Sequence, residues 1–221
     1  MSDRYYDVVW GIGSAIFWGA SRPVIMHADR TRRPGAYIIA SNHNSPYDVP
    51  LLIRHSKRYL DFVSIYEVFA HWFPRWFYGN MNAFPIDRSK PDGPGVRTIL
   101  ERLERGRVVA MFPEGAIRRP EVSVTHGGKF KPGVARLAQM AGVPVMPAVV
   151  VDSGQFGRVS AWIPIRRIRY GIIFGEPLQM REDLDKAAAL DALEAELKEA
   201  FVRLYQELME RMEPGKSGET G

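Results

Sequence analysis

Short apolar runs alternate with longer amphipathic segments along most of the chain. The apolar runs have the length and the β-branched content of buried strands. In the amphipathic segments, apolar residues recur every three or four positions, as they do in helices. Strands are predicted at 24–27, 36–41, 61–65, 82–89 (running into a polar turn), 107–112, 143–151 and 166–174, and helices at 46–55, 94–104, 133–141 and 182–212. This alternation predicts an α/β domain with a mostly parallel central sheet flanked by helices.

The first segment, 3–20, is apolar but too short to cross a bilayer. Residues 8–20 carry no charge, whereas a spanning helix needs about 20 apolar residues. Asp3 and Asp7 occupy the region that is positive in a secretory signal, so no signal peptide is predicted. The tryptophans of this segment favour a helix docked at a membrane interface, and the alternative is a helix packed on the domain. We predict an interfacial helix at 1–22, the main domain at 23–212 and a disordered tail at 213–221.

A second segment that could contact lipid is the aromatic stretch 66–79. Seven of its fourteen residues are Phe, Trp or Tyr. Such density is typical of a core, and it is equally typical of side chains at the head-group level of a membrane. Both interpretations stay open from the sequence.

Composition excludes some kinds of site. Hydrophobic residues make up 46% of the chain and charged residues 25%, which is ordinary for a globular protein of this length. There is no cysteine, so disulfides, thiolate metal sites and thiol nucleophiles are excluded, and the five histidines lack metal-binding spacing. The net charge of +5 suits an anionic membrane surface or an acidic ligand. We expect no nucleic-acid partner and no metal.

The polar loop after the second predicted strand holds the first candidate chemistry. His43 lies just before a predicted helix start at Ser45, and Asp48 lies within the first turn. A carboxylate bonded to one nitrogen of an imidazole fixes its tautomer and lets the other nitrogen accept a proton near pH 7. Asp48 also stands three residues after Ser45, so a capping box is the alternative. No G-x-S-x-G motif surrounds Ser41 or Ser45, which favours a base that activates a hydroxyl of the substrate.

Two more polar turns follow predicted strands, at Asp87–Arg88 and at Glu114–Arg118. Parallel strands end at the same edge of a sheet, so the three turns can converge there. An arginine at such an edge can hold a phosphate through its planar fork of donors. The alternative for Arg88 is a turn arginine paired with Asp87.

These turns belong to four ordered blocks, and with them the chain resembles the glycerolipid acyltransferase family, whose best-known type is 1-acyl-glycerol-3-phosphate acyltransferase. The resemblance covers residues 36–178. Lys131-Pro132-Gly133 is similar to a Lys–Gly step between the last two blocks. The blocks are His43-Asn44-Ser45-Pro46-Tyr47-Asp48, Phe84-Pro85-Ile86-Asp87-Arg88, Phe112-Pro113-Glu114-Gly115 and Val143-Pro144-Val145-Met146-Pro147.

The resemblance implies a reaction and roles for named residues. A fatty acyl group passes from acyl-CoA or acyl-carrier protein to the free hydroxyl of 1-acyl-glycerol-3-phosphate. The product is phosphatidic acid for phospholipid biosynthesis, made by a peripheral or monotopic enzyme at the cytoplasmic face of the cell membrane, without a metal or redox cofactor. His43 is the catalytic base and Asp48 orients it. The substrate-binding residues are Arg88, with Lys131 and Arg118 behind it for the acceptor phosphate, and Glu114 and Gly115, which shape the acceptor pocket.

The third block departs from the family pattern. Many members continue with Thr-Arg-Ser, whereas this chain reads Ala116-Ile117-Arg118-Arg119, so the arginine is displaced by one position. This keeps open an acyltransferase that acts on another lyso-lipid, an aminolipid or a glycolipid. A non-catalytic membrane-binding module is the alternative from a different class of protein.

Overall fold

A seven-stranded sheet organises the part of the chain that the computed structural model describes, which is residues 3–65, 82–86, 93–158 and 167–213. The strands are β1 (Ser21–Met26), β2 (Tyr37–Ser41), β3 (Leu60–Ile65), β4 (Ala83–Ile86), β5 (Val108–Met111), β6 (Val145–Val151) and β7 (Ile168–Phe174). The helices are α1 (Asp3–Ala20), α2 (Asp48–His55), α3 (Pro94–Glu104), α4 (Gly133–Ala141) and α5 (Lys186–Met212). Short 3₁₀ segments lie at Ala28–Arg32, Pro120–Val122, Val124–His126 and Ser153–Gly157.

The sheet is mostly parallel, as the alternation of strands and helices predicts. Its strand order is β1-β7-β6-β2-β5-β3-β4, and the β6–β7 pair is antiparallel while the other neighbouring pairs are parallel. The central strand β2 lies between β6 and β5 and is buried along its whole length. Parallel strands in this position carry continuous apolar runs because both faces of the sheet are covered.

Each face of the sheet carries its own apolar layer. On one face Leu51 and Leu52 of α2 and Phe17 of α1 pack against alternate residues of the central strands. On the other face the layer is formed by α3, α4 and α5, with Phe201 of α5 fully buried in it. The two layers follow from the period of two along each strand, which sends successive side chains to opposite faces.

Helix α1 packs one face on the domain and leaves another exposed. Tyr6 and Phe17 are buried in the first apolar layer. Val8, Trp10 and Ile12 are 59%, 43% and 61% exposed. The helix therefore packs on the domain through one face, and docking of its exposed apolar face at a membrane remains a prediction. No helix within the described residues is both long and apolar enough to cross a membrane.

Most element boundaries agree with the sequence, and the larger differences lie at β1 and at two helix starts. Strand β1 begins at Ser21, three residues before the predicted strand 24–27, and the helix predicted at 1–22 ends at Ala20. Helices α3 and α4 begin and end where they are predicted. The predicted start of α2 at Ser45-Pro46 was wrong, because Ser45 opens a separate turn, in which its carbonyl accepts from the N–H of Asp48, and the helix begins at Asp48 with Tyr47 as its N-cap. Helix α5 begins at Lys186 rather than 182, where the Asp185 side chain accepts hydrogen bonds from two backbone N–H groups. The aromatic segment 66–79, Arg88 and the predicted tail from 214 onward lie outside the described residues.

Candidate active site

The site lies where β2 and β5 end. These strands are parallel neighbours, with Ala40 of β2 opposite Met111 of β5. The loop after β2 carries His43, and the loop after β5 carries Glu114. Adjacent parallel strands deliver their following loops to one edge of the sheet, which is where ligands bind in open α/β sheets. The convergence of these two turns, predicted from the sequence, is therefore present.

Asn42 carries the strand pairing one residue beyond β2. Its side-chain amide donates to the carbonyl of Val150 at 2.8 Å, and its carbonyl oxygen accepts from the N–H of Val150, also at 2.8 Å. The side chain is fully buried and reproduces the two bonds of a backbone pair. It also donates to the side-chain oxygen of Asn44. The chain can thus leave the sheet at this point without losing its attachment to β6.

His43 and Asp48 form the pair that their spacing suggests. Nδ1 of His43 lies 3.1 Å from Oδ2 of Asp48. The same oxygen accepts from the backbone N–H groups of Asn44 at 2.8 Å and Ser45 at 2.9 Å, and Asp48 is fully buried. A carboxylate oxygen that accepts from two N–H groups also accepts from the imidazole, so Nδ1 carries the hydrogen. In the neutral ring Nε2 is then the nitrogen with the free lone pair, and the side chain is 16% exposed.

One of the two hydrogen bonds of a capping box is present between Asp48 and Ser45. Asp48 reaches back to the N–H of Ser45, which is one of the two bonds of the box. The reciprocal bond is replaced, because the hydroxyl of Ser45 accepts from the N–H of Tyr47 at 3.1 Å. The carboxylate therefore orders its own loop and orients His43 at the same time.

A stacked aromatic ring fixes the plane of the imidazole. The rings of His43 and Phe112 lie 4.0 Å apart between centroids, at an interplanar angle of 14°. Phe112 is the first residue after β5 and in turn packs near Phe62, at 6.5 Å between centroids. Stacking on Phe112 thus fixes the plane of the imidazole, and the hydrogen bond to Asp48 fixes the direction in which Nδ1 points.

Ser153 is a site residue that the sequence analysis missed. Its hydroxyl donates to Oδ1 of Asp48 at 2.5 Å, and the residue is 1% exposed. It follows β6, the parallel neighbour of β2, so it arrives at the same edge of the sheet. The polar residues Asp152-Ser153 directly after a buried strand are the signal that could have identified it, since the other site loops begin in the same way.

Glu114 braces the two loops of the site. One carboxylate oxygen accepts from the backbone N–H of His43 at 2.9 Å. The other accepts from the hydroxyl of Ser123 at 2.5 Å and from the N–H of Val124 at 2.8 Å. Glu114 is 2% exposed. These contacts are with donors of the protein, so the carboxylate influences the shape of the site by holding its loops in place. Direct contact of Glu114 with a substrate remains a prediction.

Gly115 makes room for Lys131. Its φ of +70° lies in the left-handed region, and a Cβ at this position would stand 2.6 Å from Nζ of Lys131. The backbone N–H of Lys131 donates to the carbonyl of Pro113 at 2.9 Å, which brings the exposed lysine across the turn. A side chain in place of the Gly115 hydrogen would displace this cation.

Arg118 is bonded to the His43 loop through its backbone. Its N–H donates to the carbonyl of His43 at 2.7 Å, and its carbonyl accepts from the side-chain amide of Asn44 at 2.9 Å. The residue is exposed, and its backbone lies against the loop that carries His43. Arg88 lies outside the described residues. Strand β4, which precedes it, runs parallel to β3 and ends at the same edge of the sheet.

The serines of the loop are not placed as nucleophiles. Ser41 is fully buried, and its hydroxyl has no hydrogen-bond partner among the residues that the structure describes. Ser45 is 3% exposed, and its hydroxyl already accepts a backbone bond. Among the described residues no group of three His, Asp or Glu side chains could hold a metal ion. The arrangement supplies a base aimed away from its carboxylate, which can take a proton from a hydroxyl of a bound molecule.

Comparison with known proteins shows what this chain resembles. The model of the acyltransferase family matches residues 23–151. The 1-acyl-sn-glycerol-3-phosphate acyltransferase of Bacillus subtilis (strain 168) is 27% identical over 177 residues, which cover 77% of this chain and 83% of that protein. The enzyme of that name from Streptococcus pneumoniae (strain ATCC BAA-255 / R6) is 26% identical over 209 residues, covering 92% and 74%.

A solved structure shares the fold. The crystal structure of the 1-acyl-sn-glycerophosphate (LPA) acyltransferase PlsC from Thermotoga maritima superposes with a TM-score of 0.68. The match covers 90% of this chain and 79% of that one, at 19% sequence identity.

Proposed function

The chain belongs to the acyltransferase family, and we propose from this premise that it acylates the free hydroxyl of 1-acyl-glycerol-3-phosphate. The acyl group comes from an acyl thioester, and the product is phosphatidic acid for phospholipid biosynthesis. The observation that carries the proposal is the buried Asp48 on Nδ1 of His43, which leaves Nε2 as a base at the edge of the sheet. The names of the relatives from Bacillus subtilis and Streptococcus pneumoniae support this choice of acceptor.

The reaction is a direct transfer with His43 as general base. Nε2 takes the proton of the acceptor hydroxyl while its oxygen attacks the thioester carbonyl. The tetrahedral intermediate then collapses, the C–S bond breaks, and the leaving thiolate takes the proton from the imidazolium. Asp48 stabilises the imidazolium while it exists. General-base action of this kind contributes roughly 10²–10⁴-fold to the rate.

The environment of the loop serines supports a mechanism without an acyl-enzyme. A serine nucleophile needs its hydroxyl in the site and a base within hydrogen-bond reach. Ser41 is enclosed in the core, and the Ser45 hydroxyl is occupied by the N–H of Tyr47. The hydroxyl that His43 activates is therefore that of the acceptor.

Basic residues around this edge suit an anionic acceptor. Lys131 lies across Gly115, and Arg118 is bonded through its backbone to the His43 loop. We propose that Arg88, following β4, is the main phosphate ligand, with these two behind it. The displaced arginine in the third block keeps open a second candidate, an acyltransferase acting on a lyso-aminolipid or a glycolipid.

We propose that the enzyme works at the cytoplasmic face of the membrane as a peripheral or monotopic protein. The exposed apolar residues Val8, Trp10 and Ile12 of α1 are suited to the boundary between head groups and acyl chains. The segment 66–79 is a second proposed contact with lipid. The co-substrate is acyl-CoA or acyl-carrier protein, and no metal or redox cofactor is part of the proposal.

An acceptor screen tests the proposed function. Purified protein is given acyl-CoA or acyl-carrier protein together with lysophosphatidic acid, a neutral monoacylglycerol, a lyso-aminolipid or a lysoglycolipid, and thiol release and acylated product are measured. Turnover should be highest with lysophosphatidic acid and absent from His43→Ala. A preference for a lyso-aminolipid or a glycolipid would support the second candidate. Failure to release thiol with any pair would support the non-catalytic membrane-binding module.

A further inference from the structure

The two oxygens of the Asp48 carboxylate have different partners. Oδ2 faces His43 Nδ1 and the two backbone N–H groups of its own loop. Oδ1 accepts the hydroxyl of Ser153 at 2.5 Å, from a segment 105 residues further along the chain. Both side chains are almost completely buried, so solvent does not compete for this bond. A hydrogen bond from a hydroxyl to a buried carboxylate is of the strong, charge-assisted kind.

The backbone around Ser153 is held in an unusual conformation. Asp152 has a φ of 62°, in the left-handed region that residues other than glycine rarely adopt. Such a conformation persists only where the surrounding structure imposes it, and it occurs most often at functional sites. Here it turns the chain as β6 ends, and Gln155 N–H closes the turn on the carbonyl of Asp152 at 3.3 Å.

Aromatic packing anchors the same segment to the core. Phe156, three residues after Ser153, is fully buried. Its ring centroid lies 4.9 Å from that of Phe17 in α1, 5.6 Å from Tyr170 and 5.8 Å from Tyr47. The hydroxyl of Ser153 is therefore presented to Asp48 by a segment fixed at both of its ends.

We propose that Ser153 is a positioning residue for acyl transfer. Its hydroxyl holds Oδ1, which stops the carboxylate from turning about its Cβ–Cγ bond and keeps Oδ2 on Nδ1 of His43. Nδ1 then stays protonated and Nε2 stays free to take the proton of the acceptor. This role rests on the proposed function of His43 as the base. It adds a third residue to the pair, one that touches neither substrate.

The first test is the kinetics of Ser153→Ala. Loss of one charge-assisted bond that orients the base should lower kcat by roughly ten- to hundredfold. The KM values for lysophosphatidic acid and for the thioester should stay within about twofold, because no contact with either substrate is removed. Ser56→Ala is the matched control, since Ser56 is a buried serine at the other end of α2 whose hydroxyl donates to the carbonyl of Arg58 at 3.0 Å. It should keep the wild-type kcat.

Two variants whose side chains have the same shape test the effect of the Ser153 hydroxyl separately from that of side-chain size. Ser153→Thr retains the donor and Ser153→Val replaces it with a methyl group of similar size. Threonine should recover most of the kcat, whereas valine should remain as impaired as alanine. The proposal is overturned if Ser153→Ala retains the wild-type kcat, or if the valine and threonine variants are equally active.

A spectroscopic measurement separates this inference from the proposed function. The ring ¹⁵N signals of His43, assigned by their loss in His43→Ala, should show a single tautomer with the hydrogen on Nδ1. Ser153→Ala should populate the second tautomer, and Ser56→Ala should not. Unchanged ring signals in Ser153→Ala would overturn the positioning role. If no lipid acceptor is acylated by the wild type, the proposed function fails while the tautomer result still decides whether Ser153 orients His43.

Discussion

The backbone N–H of His43 donates to Oε2 of Glu114 at 2.9 Å, so a buried carboxylate after β5 holds the loop after β2 that carries the proposed base. The other oxygen of Glu114 accepts from Ser123 and Val124. The carboxylate thus joins three parts of the chain at the point where the reaction is proposed to occur. We expect Glu114 to affect activity by holding these loops in place.

Glu114→Gln should destabilise the protein and impair turnover. Both carboxylate oxygens accept hydrogen bonds, so an amide of the same size must set its NH₂ group against a donor. Leaving a buried donor without an acceptor should cost roughly 1–3 kcal/mol. Urea unfolding at pH 7 measures the loss, and kcat should fall with it. The exposed Glu121→Gln is the control, and equal stability of the two variants would contradict the bracing role.

Substitution of either His43 or Asp48 should remove nearly all of the activity. His43→Ala should remove nearly all turnover without a change in circular dichroism. Asp48→Asn should lose almost as much, since an asparagine cannot stabilise the imidazolium and the two residues act in one step. If Asp48→Asn lowers only the melting temperature and retains kcat, the carboxylate serves the loop alone.

Arg88 should affect the acceptor and not the thioester. Arg88→Ala should raise KM for lysophosphatidic acid, or lower kcat if phosphate binding positions the hydroxyl. Arg88→Lys should also be impaired, because a lysine has the charge without the planar fork. Arg97→Ala, at an exposed arginine of α3, is the control for a loss of charge. Wild-type kinetics in Arg88→Ala, together with a preference for a neutral acceptor, would make Arg88 a turn residue.

Membrane docking through α1 can be tested without removing the helix. Deleting residues 1–20 would also remove Tyr6 and Phe17 from the core. Serine at Val8, Trp10 and Ile12, which are 43–61% exposed, leaves Tyr6 and Phe17 in place. Each large apolar side chain contributes roughly 1.5–3 kcal/mol when it is fully buried, so liposome binding should fall by at least about tenfold.

Flotation with anionic liposomes measures this binding, with unchanged circular dichroism as the test of folding. Met140→Ser, at a residue of α4 that is 59% exposed, is the control for the loss of a surface hydrophobe. Undiminished binding by the folded triple variant would transfer the docking role to the segment 66–79.

His55 should make the protein less stable in mild acid. Burial lowers the pKa of His55 from 6.5 to about 3, and its Nε2 lies 2.7 Å from the hydroxyl of Tyr170. Below pH 6.5 the unfolded chain binds a proton that the folded chain does not, so stability falls as pH decreases toward 3. Between pH 7 and pH 5 the loss from this residue should be about 2 kcal/mol.

Urea unfolding at the two pH values measures this loss, and the variant His55→Gln provides the reference. Glutamine can still accept a hydrogen bond from the Tyr170 hydroxyl but does not titrate. The fall in the free energy of unfolding between pH 7 and pH 5 should therefore be smaller in the variant than in the wild type, by about 2 kcal/mol. An equal difference in wild type and variant would assign the acid sensitivity to other groups.

Local patterns in the sequence determined the sheet and the helices to within a few residues, and they determined that His43 and Asp48 pair. Apolar runs identify the strands because both sheet faces are buried, and His43 and Asp48 are close enough along the chain for one turn to join them. The start of α2 was misjudged because Ser45 and Pro46 suit a tight turn as well as a helix start, and the competition depends on what packs around them.

Contacts between distant segments were decided by the tertiary structure alone. Ser153 reaches Asp48 across 105 residues, and Glu114 reaches His43 across 71. Nothing in the local pattern of either segment specifies the other, because a strand's neighbours depend on how the whole sheet is ordered. Once β2 lies between β5 and β6, the loops after all three strands meet at one edge. The sequence by itself determined the contact between His43 and Asp48, and the strand order determined which residues hold that pair in place.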